Sequence, residues 1–310
     1  MTFADAKQRF SNRVADYVRY RPGYPSALID LLRSECGLRP DHAVADVGSG
    51  TGLLSKLFLE NGNRVFAIEP NEEMRRAGEE CLAAYKNFSS VRGSSEATTL
   101  PDSSFDFITA AQAFHWFEPT ATRREFLRIL KPHGWVVVIW NDRRISETAF
   151  GRAYEDLLVR YGTDYARVKE AYPELQDMEK FFGSSAATSQ NDPLEVAEEN
   201  RSKDRPLQNA FEAAARKESG AVASLQTGGV SLRTNFARRE LPNFQEFDFD
   251  GLAGRLRSSS YAPKEGQANY AAMMAALREQ FDSTQKLGRV RMDYTTQIYF
   301  GQLDAVRGSG

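Results

Sequence analysis

One stretch, Val44-Ala45-Asp46-Val47-Gly48-Ser49-Gly50-Thr51-Gly52-Leu53-Leu54, restricts the fold more than any other, because a short apolar run passes straight into alternating glycines and then into a helical pattern. Ala43 to Val47 has the near-continuous apolar character of a parallel strand covered on both faces. Gly48, Gly50 and Gly52 let the chain turn tightly and bring bare backbone against a ligand where a Cβ would collide. Leu53, Leu54, Leu57 and Phe58 then recur at helical spacing, so the loop opens into an amphipathic helix laid back on the strand. The N-terminus of such a helix favours negative charge. Strand, glycine loop and helix in this order form a grip for a nucleotide-bearing cofactor.

Two further features bear on which cofactor. Arg64-Val65-Phe66-Ala67-Ile68 reads as a second strand, with Glu69 at its tip about 20 positions beyond the first glycine, where a carboxylate can bind a ribose diol. Each charged hydrogen bond of that kind contributes about 1.5–3 kcal/mol. A nicotinamide dinucleotide and S-adenosylmethionine both carry such a ribose, so Glu69 alone leaves both open. The glycine spacing does better: the loop is G-x-G-x-G, and Leu53 stands where the third glycine of the dinucleotide pattern G-x-G-x-x-G would lie. Asp46, two residues before the first glycine, would repel a pyrophosphate but attract a sulfonium or an ammonium group.

These residues resemble a known family. Asp46-Val47-Gly48-Ser49-Gly50-Thr51-Gly52 with Glu69 is similar to the first two motifs of the class I S-adenosylmethionine-dependent methyltransferases. Gly93-Ser94-Ser95-Glu96-Ala97, the strand Phe105-Asp106-Phe107-Ile108-Thr109-Ala110, and Leu130-Lys131-Pro132-His133-Gly134 ahead of Trp135-Val136-Val137-Val138-Ile139-Trp140 follow in that family's order. Ala111-Gln112-Ala113-Phe114-His115-Trp116-Phe117 resembles, more narrowly, the small-molecule branch of methyltransferase type 11 that includes trans-aconitate methyltransferase-like proteins. The resemblance implies an α/β fold: a Rossmann-like seven-stranded sheet with its last strand antiparallel, an N-terminal helical cap and an inserted segment. It implies S-adenosyl-L-methionine as cofactor, held by Asp46, Gly48, Ser49, Gly50, Gly52, Glu69 and Pro70. Met74 would lie on the adenine, or else be a core methionine. Ser94, Ser95 and Glu96 would read the adenine edge, with Ser94 standing where the family usually has an acid or a small residue. The leading segment would fold over the cofactor, with Tyr17, Tyr20 or Arg21 reaching it and an arginine pairing with the methionyl carboxylate; the alternative leaves Arg21 solvated and the tyrosines in the core. Tyr261, beside Ser260, falls in a segment that can line the substrate side, as Tyr17 and Tyr20 also could.

Gln112 to Phe117 sits at the carboxyl end of the fourth strand, where doubly wound sheets place ligands. Gln112 is a candidate cofactor contact there. Phe114 and Trp116 are candidates for cation–π attraction to a sulfonium or to substrate, about 0.5–2 kcal/mol each when desolvated, or for plain core packing. His115 is the histidine nearest the expected methyl donor and the candidate base or substrate contact, since His42 precedes the first strand and His133 falls in a turn. Asn141, Asp142 and Arg143 end the fifth strand on the ligand side, where Asp142 or Arg143 either touches substrate or caps the strand. The implied reaction is an in-line displacement at the sulfonium methyl, and positioning alone can lower such a barrier by about 7–11 kcal/mol. A carboxylate acceptor needs no base, whereas a hydroxyl, phenol or carbon acid does. No Asn-Pro-Pro-Tyr follows the fourth strand, which weakens a nucleobase or glutamine target, and no Pro-Cys nucleophile points to cytosine. The expectation is methyl transfer to a small molecule, through a carboxylate or hydroxyl oxygen. An NAD-dependent oxidoreductase and a non-catalytic S-adenosylmethionine-binding protein are the rivals.

The chain divides on this reading into 1–25, a cap over the cofactor; 26–183, the cofactor-binding core; 184–233, a polar, charge-dense insertion with Phe211 its only aromatic; and 234–307, completing the sheet and the substrate side. Ser26 is expected to cap a helix, Pro70 and Asn71 to open another with Met74, Ala77 and Cys81 on its inner face, and Pro132 to Gly134 to turn the chain into the fifth strand. Cys36 and Cys81 read as small core residues rather than a disulfide. A net charge of −2 and a pI near 6.1 offer no basic surplus for nucleic acid or an anionic membrane. No apolar run approaches the roughly 18 residues that span a bilayer, and the first ten residues are too polar for a signal peptide. A cytoplasmic monomer or homodimer with no metal is expected.

Overall fold

Ala43–Val47 forms β1, buried along its whole length, and the sheet extends from it on both sides. The computed structural model describes residues 14–170, 175–183 and 236–303; the expected insertion 184–233 lies outside them. Arg64–Ile68 (β2) and Phe88–Val91 (β3) flank β1 on one side, Phe105–Ala111 (β4) and Leu130–Arg143 (β5) on the other, all five parallel. Phe236–Phe247 (β6) is the far edge, and Val290–Gly301 (β7) runs antiparallel between β5 and β6. The order β3-β2-β1-β4-β5-β7-β6 is the expected seven-stranded sheet with its last strand reversed.

Helices connect these strands: α1 (Val14–Tyr20), α2 (Ala27–Cys36), α3 (Leu53–Glu60), α4 (Glu72–Leu82), α5 (Pro119–Ile129), α6 (Ala149–Tyr161), α7 (Tyr165–Glu170), α8 (Leu175–Phe182), α9 (Phe249–Arg257) and α10 (Tyr270–Thr284). Successive residues of β5 feed opposite faces: Val136, Val138 and Trp140 join Phe126 and Phe181, whereas Val137 and Ile139 join Leu28, Leu32 and Phe58. A third apolar cluster, with Tyr154, Leu158, Leu252, Leu256, Met273 and Tyr294, ties α6, α9 and α10 to β7. No described helix is long and apolar enough to cross a membrane.

Local chemistry starts several helices. The Asn71 side chain accepts from the Glu73 and Met74 amides at the head of α4, and Glu118 does the same for Thr120 and Ala121 ahead of Pro119 in α5. Ser26 does not cap α2: its own backbone is already helical, at φ −58, and its hydroxyl makes no capping bond. Cys81 is exposed rather than in the core, because the inner face of α4 runs Met74, Gly78, Leu82 at four-residue steps; Cys36 is buried. Lys131 to Gly134 is not a turn preceding β5 but an irregularity within it. The pairing jumps there from Phe105–Leu130 to Phe107–Trp135, with His133 at φ +65.

Candidate active site

The carboxyl ends of β1, β2 and β4 open onto a crevice. Its floor is the glycine loop. The Gly48 and Ser49 amides both donate to the Ile68 carbonyl, which ties the loop to the end of β2. Gly48 has φ +69, and a Cβ there would come within 2.6 Å of the Ala113 Cβ, so a side chain would both strain the turn and close the floor. Glu69, Pro70, Met74, Ser95, Gln112 and Trp116 form much of the wall, and Tyr17 of α1 lies over it.

Glu69 stands where the crevice needs a polar anchor. One carboxylate oxygen accepts from the Gly50 amide at 2.9 Å and the other from the Asn71 amide at 2.8 Å, leaving each oxygen a further lone pair. Burial pushes its pKa up to about 7, against the lowering effect of those two amides. Ser95 presents a buried hydroxyl with no hydrogen-bond partner among the described residues. An unpaired buried hydroxyl costs free energy unless a ligand meets it. Two carboxylate oxygens with spare lone pairs, an unpaired hydroxyl beside an apolar Met74, and a side-chain-free floor fit an adenosyl group and its ribose.

Asp46 faces inward as much as outward. Its carboxylate accepts from Ser55 Oγ at 2.6 Å and Thr109 Oγ1 at 2.9 Å, and burial pushes its pKa up to about 6. With Ser49, Thr51, Tyr17 and Tyr24 it lines a smaller space of about 290 Å³ next to the crevice. Gly52 is turned toward Leu82 and serves the entry into α3. Ser94 pairs backbone to backbone with Ala97, and the Glu96 carboxylate accepts from the Glu118 amide, so neither lines the crevice. Phe114 is buried among Phe117, Trp140 and Phe181 rather than on the crevice wall. His115 packs on Trp116, with ring centroids 4.8 Å apart, and borders neither this crevice nor the second cavity; burial lowers its pKa to about 4.

A second cavity, of about 890 Å³, begins on the other side of Gln112 and Tyr17, which border both spaces. Gln112 sits at φ +53, a conformation non-glycine residues seldom adopt, and is held there by its amide on the Ile139 carbonyl and its Nε2 on the Asn141 carbonyl. The cavity wall carries three guanidiniums, Arg21, Arg143 and Arg255. Arg143 reaches Tyr261 Oη at 2.8 Å, Tyr165 Oη at 2.6 Å and Glu155 at 3.2 Å. Arg255 is only 3% exposed, and its side-chain partners are hydroxyls, Tyr294 at 3.3 Å and Ser259 at 3.1 Å. Arg21 donates to the Ser258 carbonyl at 2.9 Å and stacks over Tyr17, while its Nε has no hydrogen-bond partner among the described residues. Neither Arg21 nor Arg255 forms an ion pair among those residues.

Tyr20 stays out of both cavities: its ring fills the space over Gly254, where a Cβ would lie 2.1 Å from the ring. Tyr24, Tyr165 and Arg255 were not singled out by motif, although a charged residue between Leu252 and Leu256 on the apolar face of α9 is itself a signal.

A parallel sheet with a reversed last strand, a glycine loop and a buried acid at the tip of β2 define the class, a Rossmann-like fold that binds an adenosyl cofactor. Residues 45–138 match the family model described as a methyltransferase domain. An uncharacterized methyltransferase of Mycobacterium tuberculosis is 35% identical over 139 residues, 45% of this chain and 54% of the relative; one of Schizosaccharomyces pombe is 30% identical over 135 residues, 43% and 53%. The chain thus spans about half the length of the curated relatives it matches. A protein assigned as a type II methyltransferase from Anaeromyxobacter dehalogenans shares the fold, with a TM-score of 0.54 at 19% identity over 92% of this chain and all of that one. Residues 45–138 are thus similar to a methyltransferase domain, for which S-adenosylmethionine is the cofactor.

Proposed function

We propose that the protein transfers a methyl group to an oxygen of a small organic anion bound in the cavity beyond Gln112. Glu69, Gly48, Gly50, Met74 and Ser95 would hold the cofactor, which supplies the methyl group on a sulfonium and leaves as a thioether. The observation that carries the reading is the pair Arg21 and Arg255, two guanidiniums on the cavity wall with no carboxylate partner. Burying a cation that no carboxylate pairs is costly, and an anionic ligand would offset that cost. Gln112 and Tyr17, shared by the two spaces, would align the acceptor with the methyl donor, and α1 would act as a cap excluding water.

The test is a panel of hydroxylated carboxylic acids and their neutral amides, scored by release of S-adenosylhomocysteine. Acids are expected to react and the matched amides to react far more slowly. Arg255→Met should lower kcat/KM for an acid by about 100-fold, the loss expected when one partner of a buried charge pair is removed, with affinity for S-adenosylhomocysteine unchanged. Equal turnover of amides, or acceptance of amines alone, would overturn the anion reading. Binding of NADH in place of S-adenosylhomocysteine would overturn methyl transfer itself.

A further inference from the structure

We infer that Tyr261 is the general base of this reaction, acting as a phenolate on the wall of the acceptor cavity. The inference rests on the methyl-transfer reading and narrows it to acceptors that have a proton to lose, an alcohol, enol or phenol, rather than a carboxylate that attacks directly.

The geometry sets Tyr261 apart from its neighbour. Both Tyr261 and Tyr165 receive a hydrogen bond from the Arg143 guanidinium, and their rings lie 4.8 Å apart. Tyr165 Oη donates a hydrogen bond to Glu155 Oε2 at 2.6 Å and so keeps its proton. Tyr261 Oη instead accepts from the Arg143 guanidinium and donates to no carboxylate among the described residues, and a charged donor on an oxygen favours its ionised form. Two like groups driven apart by their surroundings are the usual mark of an acid and a base in one site.

The charges facing Tyr261 agree with that assignment. Arg143 approaches from β5, Arg255 from α9 and Arg21 from the segment after α1, while Tyr154 and Glu155 lie on α6 and Tyr165 on α7. Glu155 is engaged by Arg143 and Tyr165, so its charge is already matched. Burial pushes the Tyr261 phenol up, but Arg143, Arg255 and Arg21 outweigh it and hold the group down to about 7. Tyr165, by contrast, is pushed well above the usual range, chiefly by burial. His115 borders neither cavity, and burial pushes the Tyr24 phenol on the same wall well above its ordinary range; Asp142 is a further titratable candidate there, its Oδ2 accepting from Gln297 at 2.5 Å and its pKa raised by burial. In the step proposed, the acceptor's O–H bond breaks, its oxygen bonds to the methyl carbon, the methyl–sulfur electron pair stays with sulfur, and the proton rests on Tyr261 Oη before passing to water.

Ultraviolet difference titration of the full chain tests this without any acceptor. One tyrosine should ionise with a midpoint near 7 in the wild type, and that signal should be missing in Tyr261→Phe. Arg255→Met should move the midpoint upward, which keeps the test available if Tyr261→Phe fails to fold. Tyr261→Phe should also lower kcat on a hydroxyl acceptor by about 10²- to 10⁴-fold, with KM little changed. A wild-type chain in which no tyrosine ionises below the ordinary phenol range overturns the inference. So does a Tyr261→Phe enzyme that keeps its kcat while Asp142→Asn loses it, and that result would leave the methyl-transfer reading standing. A clear Tyr261 signal with no turnover on any acceptor would instead sink the methyl-transfer reading, and this role with it.

Discussion

Glu69 carries the most consequence of any residue, because its charge state is set by competition between burial and two amides. With its pKa pushed up to about 7 it ionises in the range where the protein would work, and the ionised form would accept more strongly from a ribose diol than the protonated one, which keeps acceptor capacity but loses the charge. Affinity for S-adenosylhomocysteine should therefore fall as pH drops below about 7 and level off above it, as calorimetry across pH 6–8.5 would read. Glu69→Gln should flatten that profile and weaken binding by about 10- to 100-fold, the equivalent of one charged hydrogen bond. Linkage gives the opposite slope for folding. The folded carboxyl holds its proton more tightly than the unfolded one, so its contribution is fully present below the ordinary glutamate pKa of 4.5 and is lost as pH rises toward 7. Denaturant midpoints over that window should fall less in Glu69→Gln. Glu69 was legible in the sequence because strand, loop and second strand fix its position by local spacing. Arg255 was not, since it meets the cavity only when the chain returns more than a hundred residues beyond Arg143, nor was Tyr165, which lies 22 residues beyond Arg143 on a short helix that no motif marks. Phe114 and Trp116, two positions apart in one short turn, could not be sorted into core and wall without the backbone path.

At the scale of elements, α1 is the piece whose seating decides both cavities. Tyr20 sits over Gly254, Asp16 pairs with Arg257 at 3.0 Å, and Gln245 donates to the Tyr20 carbonyl at 3.1 Å. Tyr17 and Arg21 reach the cavities only because these contacts hold the helix down. Gly254→Ala should gain about 1 kcal/mol of helix propensity in α9 yet lose about 1–3 kcal/mol to overpacking against Tyr20. The net expectation is a modest loss of stability, with a larger loss of affinity for S-adenosylhomocysteine and faster proteolysis near α1. Tyr20→Ala introduced first should make Gly254→Ala harmless, and additive effects of the two changes would refute the contact. Sequence periodicity marks the strands and helices around the glycine loop, whereas α7 and α8 carry no expectation and other differences are of register. The inner face of α4 is one step from the set holding Cys81, because an apolar methionine and a leucine eight residues on outrank a small thiol. The Pro132–Gly134 signal marked a real break in regularity, but the chain absorbs it within β5 because β4 continues alongside and pairs across it.

The described residues enclose two spaces with a common wall. Tyr17 and Gln112 border both, so ordering them for one ligand leaves less to order for the other. S-adenosylhomocysteine and an acceptor acid should then bind with positive coupling of about 1–3 kcal/mol, each tightening the other by the same factor, as linkage requires. Calorimetric titration of either ligand, with and without saturating amounts of the other, measures this directly. Tyr17→Ala should reduce the coupling while leaving the acceptor affinity of the cofactor-free chain nearly intact, since on the proposed reading Arg21 and Arg255 would hold the anion from other elements. Thermal unfolding gives an independent check: S-adenosylhomocysteine at 100 times its Kd should stabilise the chain by about 2.7 kcal/mol, and adding the acid should raise that by more than the acid achieves alone. Strictly independent affinities in both orders of addition would mean that the two spaces do not communicate through Tyr17 and Gln112, and the cofactor crevice and anion cavity would have to be treated as separate sites.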